Sequence, residues 1–320
     1  MIESATPNLT GKIVTVLGGS GFVGRHLAQE LLARGARVRI ASRNPEKAYK
    51  IKPLGNLGQV ATARVDVTRP ETLARVLAGS DAVVYLVGAF SGNLDALQGK
   101  GVGQVAAVAR EAGVASFVHI SAIGCDAGSP VAYARTKAEG EDAVFAAFPE
   151  ATVLRPSLLF GPDDNFVMMF AKLIAAFPAL PVFAPEAKLQ PLFVDDAAEA
   201  IASAIATDSA KGKIFEIAGP EVITMIEFNR RIAEAQCRHR ALIELPGSVS
   251  RAIAAATGWL PGAPITSDQL ALLEAGSVAS GKLPGLADLG VRPRPLELFL
   301  DRWMVPFRKH GRFADTSTAR

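Results

Sequence analysis

A tyrosine and a lysine spaced for one helical turn are the side chains in this sequence best suited to proton transfer. They stand in the segment Tyr133-Ala-Arg-Thr-Lys137, where a helix would place both on one face. A nearby ammonium group favours tyrosinate, so it would lower the pKa of the phenol from about 10. We therefore predict Tyr133 as a proton donor or acceptor that Lys137 assists. Ser121, twelve residues upstream at a predicted strand end, would polarise a substrate carbonyl.

A glycine-rich turn near the start of the chain has the pattern of a phosphate-binding loop. It follows the apolar run Ile13–Leu17 and opens the amphipathic stretch Phe22–Arg34. In such a strand, turn and helix, Gly18 would make the tight turn, Gly21 would admit a pyrophosphate, and Gly24 would let the helix pack closely on the strand. The predicted phosphate contacts are Gly18, Ser20, Gly21, Phe22, Val23 and Gly24. The alternative is a glycine-rich turn that binds no ligand.

The residue after the second predicted strand selects between the two nicotinamide dinucleotides. NAD sites place Asp or Glu there, about 20 residues past the glycines, to bind the ribose 2′-hydroxyl. The segment Ile40-Ala-Ser-Arg-Asn44 contains no acid; Arg43 would form a bidentate contact with a 2′-phosphate, and Lys47 stands one turn further. The sequence therefore favours NADP(H) as the cofactor and leaves NAD(H) open. The alternative role for Arg43 is a solvated surface charge.

Other positions at predicted strand ends complete the expected cofactor site. Asp66 ends the third strand and would accept a hydrogen bond from the adenine amino group, or alternatively cap the next helix. Lys137, besides assisting Tyr133, would hold the nicotinamide ribose. The remaining predicted cofactor contacts are Val67, Val87, Tyr133, Lys137 and Pro156.

Alternating strand and helix patterns from residue 12 to about residue 160 predict the fold. Such alternation is typical of a parallel sheet with helices on both faces. The predicted class is α/β: a Rossmann doubly wound parallel sheet with a smaller, irregular α/β C-terminal domain. We expect residues 1–160 to form the NAD(P)-binding domain, with a returning strand near 212–219, and residues 161–320 to form a smaller domain facing the substrate or a partner. The predicted helices up to residue 160 are 22–34, 70–78, 95–112 and 131–148.

Composition and residue patterns exclude several classes of protein. The net charge of +3 is too small to predict nucleic-acid binding. Cys125 and Cys237 match no metal or CxxC spacing, and the four histidines form no ligand pattern, so we expect no metal site and a reducing, cytoplasmic location. The apolar stretch Phe166–Ala184 contains Lys172 and several prolines, so we expect a helix and an apolar loop there instead of a transmembrane span. Residues 1–11 lack the apolar core of a signal peptide.

Several blocks resemble the short-chain dehydrogenase/reductase superfamily in its extended, atypical branch. Besides the glycine turn and the Tyr133/Lys137 pair, the matching blocks are Leu154–Pro162, Phe193–Ala198 and Gly212–Gly219. The resemblance covers most of the chain. It implies a nicotinamide-dinucleotide fold in which the tyrosine and the lysine stand at the reactive position.

Further blocks resemble a narrower family, the NADPH-binding accessory subunits of respiratory complex I (alpha subcomplex subunit 9) and their bacterial relatives. These blocks are Phe148–Ala151, Asp164–Phe166, Lys282–Gly290 and Pro295–Glu297. The resemblance implies a tightly held NADPH with a structural role, and respiratory complex I as a partner. The apolar content after residue 160 and the basic segment Arg302–Arg312 suit a peripheral position on the inner face of the membrane. A substrate pocket and a solvated tail are the alternative.

Two positions depart from the pattern of the active enzymes. The strand-end serine of those enzymes aligns with Ala122 if the segment Phe117–Ala122 is shifted by one residue, and their helix asparagine is replaced by Gln98. We therefore weigh an NADPH-holding subunit or assembly partner of the respiratory chain against a working NADP-dependent reductase, epimerase or dehydratase. Such an enzyme would act on a carbonyl, sugar nucleotide, quinone or lipid-like substrate. A globular protein with an empty site is the third hypothesis.

Overall fold

The computed structural model describes residues 8–258 and 265–313. Residues 1–7 lie outside the described residues, so the structure does not test the expectation that this segment is no signal peptide. Residues 259–264 and 314–320 of the expected smaller domain also lie outside them. The described strands are β1 (Ile13–Leu17), β2 (Arg37–Ser42), β3 (Val60–Arg64), β4 (Ala82–Tyr85), β5 (Ser116–Ile120), β6 (Thr152–Pro156), β7 (Leu159–Phe160), β8 (Ala179–Val182), β9 (Lys188–Leu189), β10 (Leu192–Phe193), β11 (Ile214–Ile217), β12 (Ile223–Thr224) and β13 (Ala241–Glu244). The described helices are α1 (Phe22–Ala33), α2 (Pro70–Leu77), α3 (Leu94–Gln98), α4 (Lys100–Glu111), α5 (Ala132–Ala147), α6 (Phe166–Ala176), α7 (Val194–Ala206), α8 (Met225–Ala235), α9 (Gly247–Thr257), α10 (Ser267–Ala275) and α11 (Glu297–Met304).

The central sheet consists, within the described part of the chain, of seven strands in the order β11-β6-β5-β4-β1-β2-β3. Every neighbouring pair is parallel. The central strand β4 is apolar and buried at every residue, as expected for a sheet covered on both faces, whereas the edge strand β3 has no fully buried residue. The strand order reverses between β1 and β4, and doubly wound sheets bind ligands at the carboxyl ends of strands beside such a point. The predicted fold class is confirmed.

The described residues divide into two compact units. The first contains the chain up to Pro156, Val194–Ile217 and Ser280–Arg292, and so includes the whole seven-stranded sheet. The second contains Ser157–Phe193, Ala218–Ala279 and the described residues from Pro293 onward. In the second unit, β7 pairs with β10, β9 with β12 and β8 with β13. The expected division of tasks between residues 1–160 and 161–320 stays a prediction.

The helix predicted over residues 95–112 is interrupted at Gly99, which separates α3 from α4. The Asp95 carboxylate accepts a hydrogen bond from the backbone N–H of Lys100 (3.0 Å), and this contact stabilises the break. A Cβ at Gly99 would lie 2.6 Å from Oδ1 of Asp95, so a side chain at Gly99 would displace the carboxylate. Sequence periodicity did not reveal this break because the apolar pattern continues through it.

Helix α5, which carries the predicted Tyr133/Lys137 pair, packs tightly against α3 and α4. A Cβ at Gly140 would lie 2.0 Å from the carbonyl oxygen of Gln98, and a Cβ at Gly103 would lie 2.8 Å from Cβ of Ala143. The helices therefore approach one another at distances that only glycine allows. This close packing fixes the position of α5 beside the sheet.

The apolar stretch that begins at Phe166 forms α6, and β8 follows after a short connection. No helix in residues 8–258 or 265–313 is long and apolar enough to cross a bilayer. Within the same residues, His, Cys, Asp and Glu side chains form no group of three or more that could hold a metal ion.

Candidate functional site

The glycine turn joins β1 to α1 at the point where the strand order reverses. Gly18 has a left-handed φ of +81°, which favours glycine, and a Cβ there would lie 3.1 Å from Cγ2 of Val87. Its N–H donates to the carbonyl oxygen of Ala41 on β2 (2.9 Å). A Cβ at Gly24 would lie 2.4 Å from Cα of Gly19. The helix therefore packs on the turn as closely as the backbone permits.

The start of α1 fits a dinucleotide phosphate. Gly21 is the N-cap residue and provides no side-chain acceptor for the first N–H groups of the helix. It is exposed, and a Cβ there would meet only the carbonyl oxygen of Gly18, at 3.3 Å. Ser20, Phe22 and Val23 are partly accessible beside it. Open space, helix N–H groups and the helix dipole together suit an anion, although the individual contacts stay predictions.

Arg43 and Asp66 lie beyond the carboxyl ends of β2 and β3, as predicted from the chain order. Arg43 is exposed and lies near enough to Asp66 to contribute to its lowered pKa, although the hydrogen bonds from Thr68 lower that pKa most. Oδ1 of Asp66 accepts these bonds from the Thr68 hydroxyl (2.7 Å) and N–H (3.1 Å). Asp66 does not cap α2, whose N-cap residue is Arg69. Its Oδ2 lies 3.9 Å from Nε of Arg69, and the contact of Asp66 with an adenine amino group stays a prediction.

The three apolar residues predicted to contact the cofactor follow or end strands at this same edge of the sheet. Val67 is buried just after β3, and Pro156 is the buried last residue of β6. Val87, just after β4, lies against the glycine turn, and a Cβ at the adjoining Gly88 would lie 3.5 Å from Nζ of Lys137. The segment after β4 therefore lies beside both the glycine turn and the predicted catalytic pair.

Tyr133 lies in the first turn of α5, and its ring stacks on the exposed ring of Phe90 with 4.6 Å between centroids. Burial raises the pKa of the phenol to about 12, and the nearby thiol of Cys125 adds to this rise. The expectation that the pKa of this phenol is lowered is therefore wrong. Burial of the phenol outweighs any effect of the lysine charge.

Lys137 is buried one turn further along α5. Its Nζ donates to the carbonyl oxygen of Ile120, the last residue of β5 (2.8 Å). Burial lowers the pKa of its ammonium group to about 8, while the charge of Glu141 opposes this shift. The lysine is thus held by the strand end as well as by its own helix.

Ser121 and Ala122, the two alternatives for the reactive hydroxyl, follow directly after β5. The Ser121 side chain is buried, and its hydroxyl meets no hydrogen-bond partner of good geometry among the described residues. It lies close enough to Cys125 to lower the pKa of that thiol, although other groups raise it much more. Ala122 is more accessible and carries no polar group. The hydroxyl is present, but it is not aligned by either member of the Tyr133/Lys137 pair.

Gln98, which replaces the asparagine of the active enzymes, is fully buried between the site segments. Its Oε1 accepts a hydrogen bond from the N–H of Ala89 (3.0 Å), and its Nε2 donates to the hydroxyl of Thr136 (3.0 Å). The amide therefore links the segment after β4 to the turn of α5 between Tyr133 and Lys137. Its role in this structure is to position that turn.

Sequence reasoning missed a buried ion pair one turn beyond Lys137. The Glu141 carboxylate accepts hydrogen bonds from Nε of Arg155 on β6 (2.9 Å) and from the Cys125 thiol (3.1 Å). Burial and this carboxylate raise the pKa of Cys125 to about 12, so the thiol stays protonated. The spacing Tyr133, Lys137, Glu141 places all three on one helix face and was the available signal.

Comparisons with known proteins agree with this geometry. A family model of NAD(P)H-binding proteins matches residues 18–167. The mitochondrial NADH dehydrogenase (ubiquinone) 1 alpha subcomplex subunit 9 of Rattus norvegicus is 31% identical over 300 residues, which cover 91% of this chain and 79% of that protein. The same subunit of Dictyostelium discoideum is 32% identical over 238 residues, which cover 73% of this chain and 66% of that protein, just under two thirds of its length.

A solved structure shows the same fold at lower sequence similarity. Citrobacter sp. triphenylmethane reductase complexed with NADP(H) superposes with a TM-score of 0.73 and 20% identity, covering 91% of this chain and 99% of that one. The NAD(P)H-binding match and the fold agree with the glycine turn described above. From its similarity to the mitochondrial subunits over most of its length, and from its match to the NAD(P)H-binding family model, the chain belongs to the alpha subcomplex subunit 9 family of NADH dehydrogenase (ubiquinone).

Proposed function

We propose that this protein holds NADPH as a structural cofactor and acts as an accessory subunit or assembly partner of a respiratory complex. The observation that carries the proposal is the similarity to the mitochondrial subunits over 91% of this chain, and the surroundings of Tyr133 support it. The ring of Tyr133 is stacked under Phe90 and the pKa of its phenol is raised to about 12. A general acid is most effective when its pKa lies near the working pH, and this phenol is far from that. The direction of this shift supports a role of the pair in binding the nucleotide.

The preference for NADPH rests on the residues around the adenosine end of the site. Arg43 is exposed after β2, and the segment that follows β2 supplies no carboxylate for a free 2′-hydroxyl. A guanidinium matches a phosphate in geometry and charge. The glycine turn would hold the pyrophosphate, Asp66 the adenine amino group, and Lys137 the nicotinamide ribose, with the ring of Tyr133 beside it. When bound, the nicotinamide could supply a hydride to a carbonyl.

The proposed partner and location rest on family membership. The relatives are named as subunits of a mitochondrial NADH dehydrogenase, and we extend that association to this chain as a proposal. For this chain we propose a peripheral position on the cytoplasmic, inner face of a respiratory membrane. The basic segment Arg302–Arg312, in which Arg302, Lys309 and Arg312 are exposed, suits an anionic surface.

A working NADP-dependent reductase, epimerase or dehydratase is the second candidate, because Tyr133, Lys137 and Ser121 all stand at the edge of the sheet where the cofactor would bind. In that function Tyr133 would exchange a proton with the substrate oxygen, and Ser121 would donate a hydrogen bond to it. The substrate would be a carbonyl, sugar nucleotide, quinone or lipid-like molecule. Among the described residues the Ser121 hydroxyl meets no hydrogen-bond partner of good geometry, so it would be available to donate to a substrate oxygen.

The deciding experiment is purification of the protein from native membranes in mild detergent. We expect NADPH to be released only on denaturation, and NADH dehydrogenase subunits to co-migrate with the protein on native gels. A freely exchanging nucleotide with rapid turnover on one substrate class, and migration apart from respiratory subunits, would establish the second candidate instead.

A further inference from the structure

We propose that an exposed basic and apolar surface at the β3 edge of the sheet docks the protein on an anionic lipid bilayer. The surface consists of Tyr49, Lys50, Lys52, Leu54 and Leu57, and we call it the 49–57 surface. Tyr49 is 55% exposed, Leu54 is 53% exposed and Leu57 is 106% exposed, so the Leu57 side chain is fully open to solvent. It lies wholly in the first unit. The proposal is independent of whether NADPH is structural or catalytic.

The 49–57 surface is held in place by buried residues beneath it. Ala48 and Ile51 are buried and anchor the 3-10 helix Pro45–Leu54 to the core. The two buried residues are three apart, one turn of a 3-10 helix, which leaves Tyr49, Lys50 and Lys52 on its outer side. The exposed groups are thus presented by an ordered element.

The turn that carries Leu57 is equally well fixed. Oε1 of Gln59 accepts a hydrogen bond from the N–H of Asn56 (3.0 Å), and its Nε2 donates to the carbonyl oxygens of Leu32 (3.2 Å) and Ala36 (2.9 Å). Gly58, with a left-handed φ of +78°, completes the turn. The leucine therefore stands at the tip of a hydrogen-bonded turn whose conformation keeps it in solvent.

The segment of the chain that contains this surface is strongly positive in sequence. Residues 37–75 contain nine Lys and Arg against three Asp and Glu, a net charge of +6, whereas the whole chain carries only +3. One of the three acids, Glu46, belongs to the same 3-10 helix and offsets part of the charge of its lysines. Nζ of Lys52 lies 4.6 Å from the ring centroid of Tyr49, so a cation and an aromatic ring are presented together. Lysines beside exposed aromatic and leucine side chains are typical of surfaces that enter the headgroup region of anionic membranes.

A bilayer fits these observations better than a protein partner does. A stable protein interface needs about 20 residues on each side with a desolvated apolar core. The 49–57 surface offers three apolar side chains at separate points, with lysines between them. Side chains of this kind enter a bilayer independently, and anionic headgroups neutralise the lysines without a matched surface.

The test is co-sedimentation of the full-length protein with vesicles. The probes are phosphatidylcholine vesicles and vesicles in which about a quarter of the lipid is phosphatidylglycerol. We expect binding to the anionic vesicles only, and a fall of about 25-fold for Lys50→Gln/Lys52→Gln, roughly five-fold for each lysine. The matched control is Lys188→Gln/Lys282→Gln, which removes the same charge from exposed lysines elsewhere and should leave binding within about two-fold. Leu54→Ser/Leu57→Ser should also weaken binding, because it removes the apolar part without changing the charge.

Three outcomes would overturn the proposal. The first is that the wild-type protein does not bind anionic vesicles. This includes the result that it binds native membranes but no longer does so when the proteins of those membranes are not intact. The second is that both lysine pairs have the same effect, which would indicate a response to net charge alone. The third is loss of binding in Arg302→Gln/Arg312→Gln with none in Lys50→Gln/Lys52→Gln, which would place the contact on another segment. Thermal unfolding that matches the wild type shows that each variant is folded, and NADPH retention, measured separately, tests the cofactor proposal alone.

Discussion

Nε of Arg155 on β6 lies 2.9 Å from Oε1 of Glu141 on α5, and this buried pair stands one helical turn beyond Lys137. Arg155 in turn pairs in register with Glu216 on β11, whose carboxylate accepts a hydrogen bond from the Ser280 hydroxyl (2.7 Å). The charges of Lys137, Glu141, Arg155 and Glu216 therefore alternate in sign beneath the candidate site. Such a line lets a buried lysine keep part of its charge near neutral pH.

Replacing Glu141 with Gln should destabilise the fold by roughly 2–4 kcal/mol, because the Arg155 guanidinium would lose its partner in a largely buried place. The Arg155 side chain is 21% exposed, so solvent reduces the penalty of a fully buried charge. Glu141→Gln/Arg155→Met removes both charges and should recover part of this loss. Urea unfolding of the two single variants and the double variant measures the coupling between them. Strictly additive effects would show that the pair contributes no interaction energy.

Arg43→Glu should reverse the nucleotide preference. The guanidinium would contact the 2′-phosphate in a charge-assisted bidentate manner, and loss of such a contact reduces affinity by about ten- to a hundredfold. A carboxylate at the same place would instead accept from a free 2′-hydroxyl. Calorimetric titration with NADPH and NADH measures both affinities in each protein. Equal affinities in the wild-type protein would refute the assignment of Arg43.

Gly21→Val and Gly24→Val should separate binding from folding. A Cβ at Gly21 meets only the carbonyl oxygen of Gly18 at 3.3 Å, so the valine variant should fold and lose nucleotide binding. A Cβ at Gly24 would lie 2.4 Å from Cα of Gly19, so that variant should lose stability whether or not nucleotide is present. Thermal unfolding with and without NADPH distinguishes the two. Ligand stabilisation of about 4 kcal/mol at a thousandfold excess over Kd should vanish in Gly21→Val. Its persistence there would move the phosphate site elsewhere.

Lys137→Met should stabilise the nucleotide-free protein in a pH-dependent way. Burial lowers the pKa of this lysine to about 8 from 10.5, so between these values the unfolded chain binds more protons than the folded one. The contribution of the lysine to the free energy of unfolding therefore rises with pH across this window and is least favourable below pH 8. The advantage of the variant should be about 1–3 kcal/mol near pH 7 and should shrink towards pH 10.

Denaturant unfolding at several pH values tests this, because the other titrating groups are common to both proteins and cancel in the difference. Lys100→Met, at an exposed lysine of α4, is the control and should show no such trend. If the difference in unfolding free energy between wild type and Lys137→Met is constant with pH, burial does not lower the pKa of this lysine.

The fold could be predicted because its signals are local. The glycines between β1 and α1 stand within one turn, and the central strands β1 and β4 are short runs of mostly apolar residues that can be recognised alone. The sheet order then follows from the alternation of strands and helices. The break at Gly99 escaped notice because it depends on one hydrogen bond from the Asp95 side chain, which apolar periodicity does not report.

The electrostatics of the site could not be predicted, because they depend on residues distant in the chain. A lysine one turn from a tyrosine suggests a lowered phenol pKa, yet Phe90, more than 40 residues away in the chain, covers the ring of Tyr133. Likewise, Arg155 follows Glu141 by fourteen residues and meets it only because β6 lies beside α5 in the folded protein. Side-chain type and spacing indicated which groups gather, but burial determined their protonation.

Tyr133→Phe separates the two candidate functions, because it removes the phenol hydroxyl and keeps the ring that stacks on Phe90. If NADPH is structural, the variant should retain the nucleotide, the melting temperature and any association with respiratory subunits. If the protein is a working reductase, loss of its general acid should slow turnover by about 10²–10⁴-fold. The measurement pairs wild type and variant in NADPH oxidation against carbonyls, quinones and sugar nucleotides, and in restoration of NADH dehydrogenase activity to a deletion strain.

The result that we expect is slow or absent turnover in both proteins and full restoration by both, since neither retention nor assembly requires proton transfer. Gly21→Val serves as the negative control, because a structural cofactor that cannot bind should leave the deletion strain unrestored. Rapid wild-type turnover that the variant loses, in a strain whose respiration does not depend on the protein, would reject the structural role. Because Phe preserves the ring and Lys137 keeps its bond to Ile120, a loss of restoration in Tyr133→Phe alone would mean that the hydroxyl itself acts in the assembled complex.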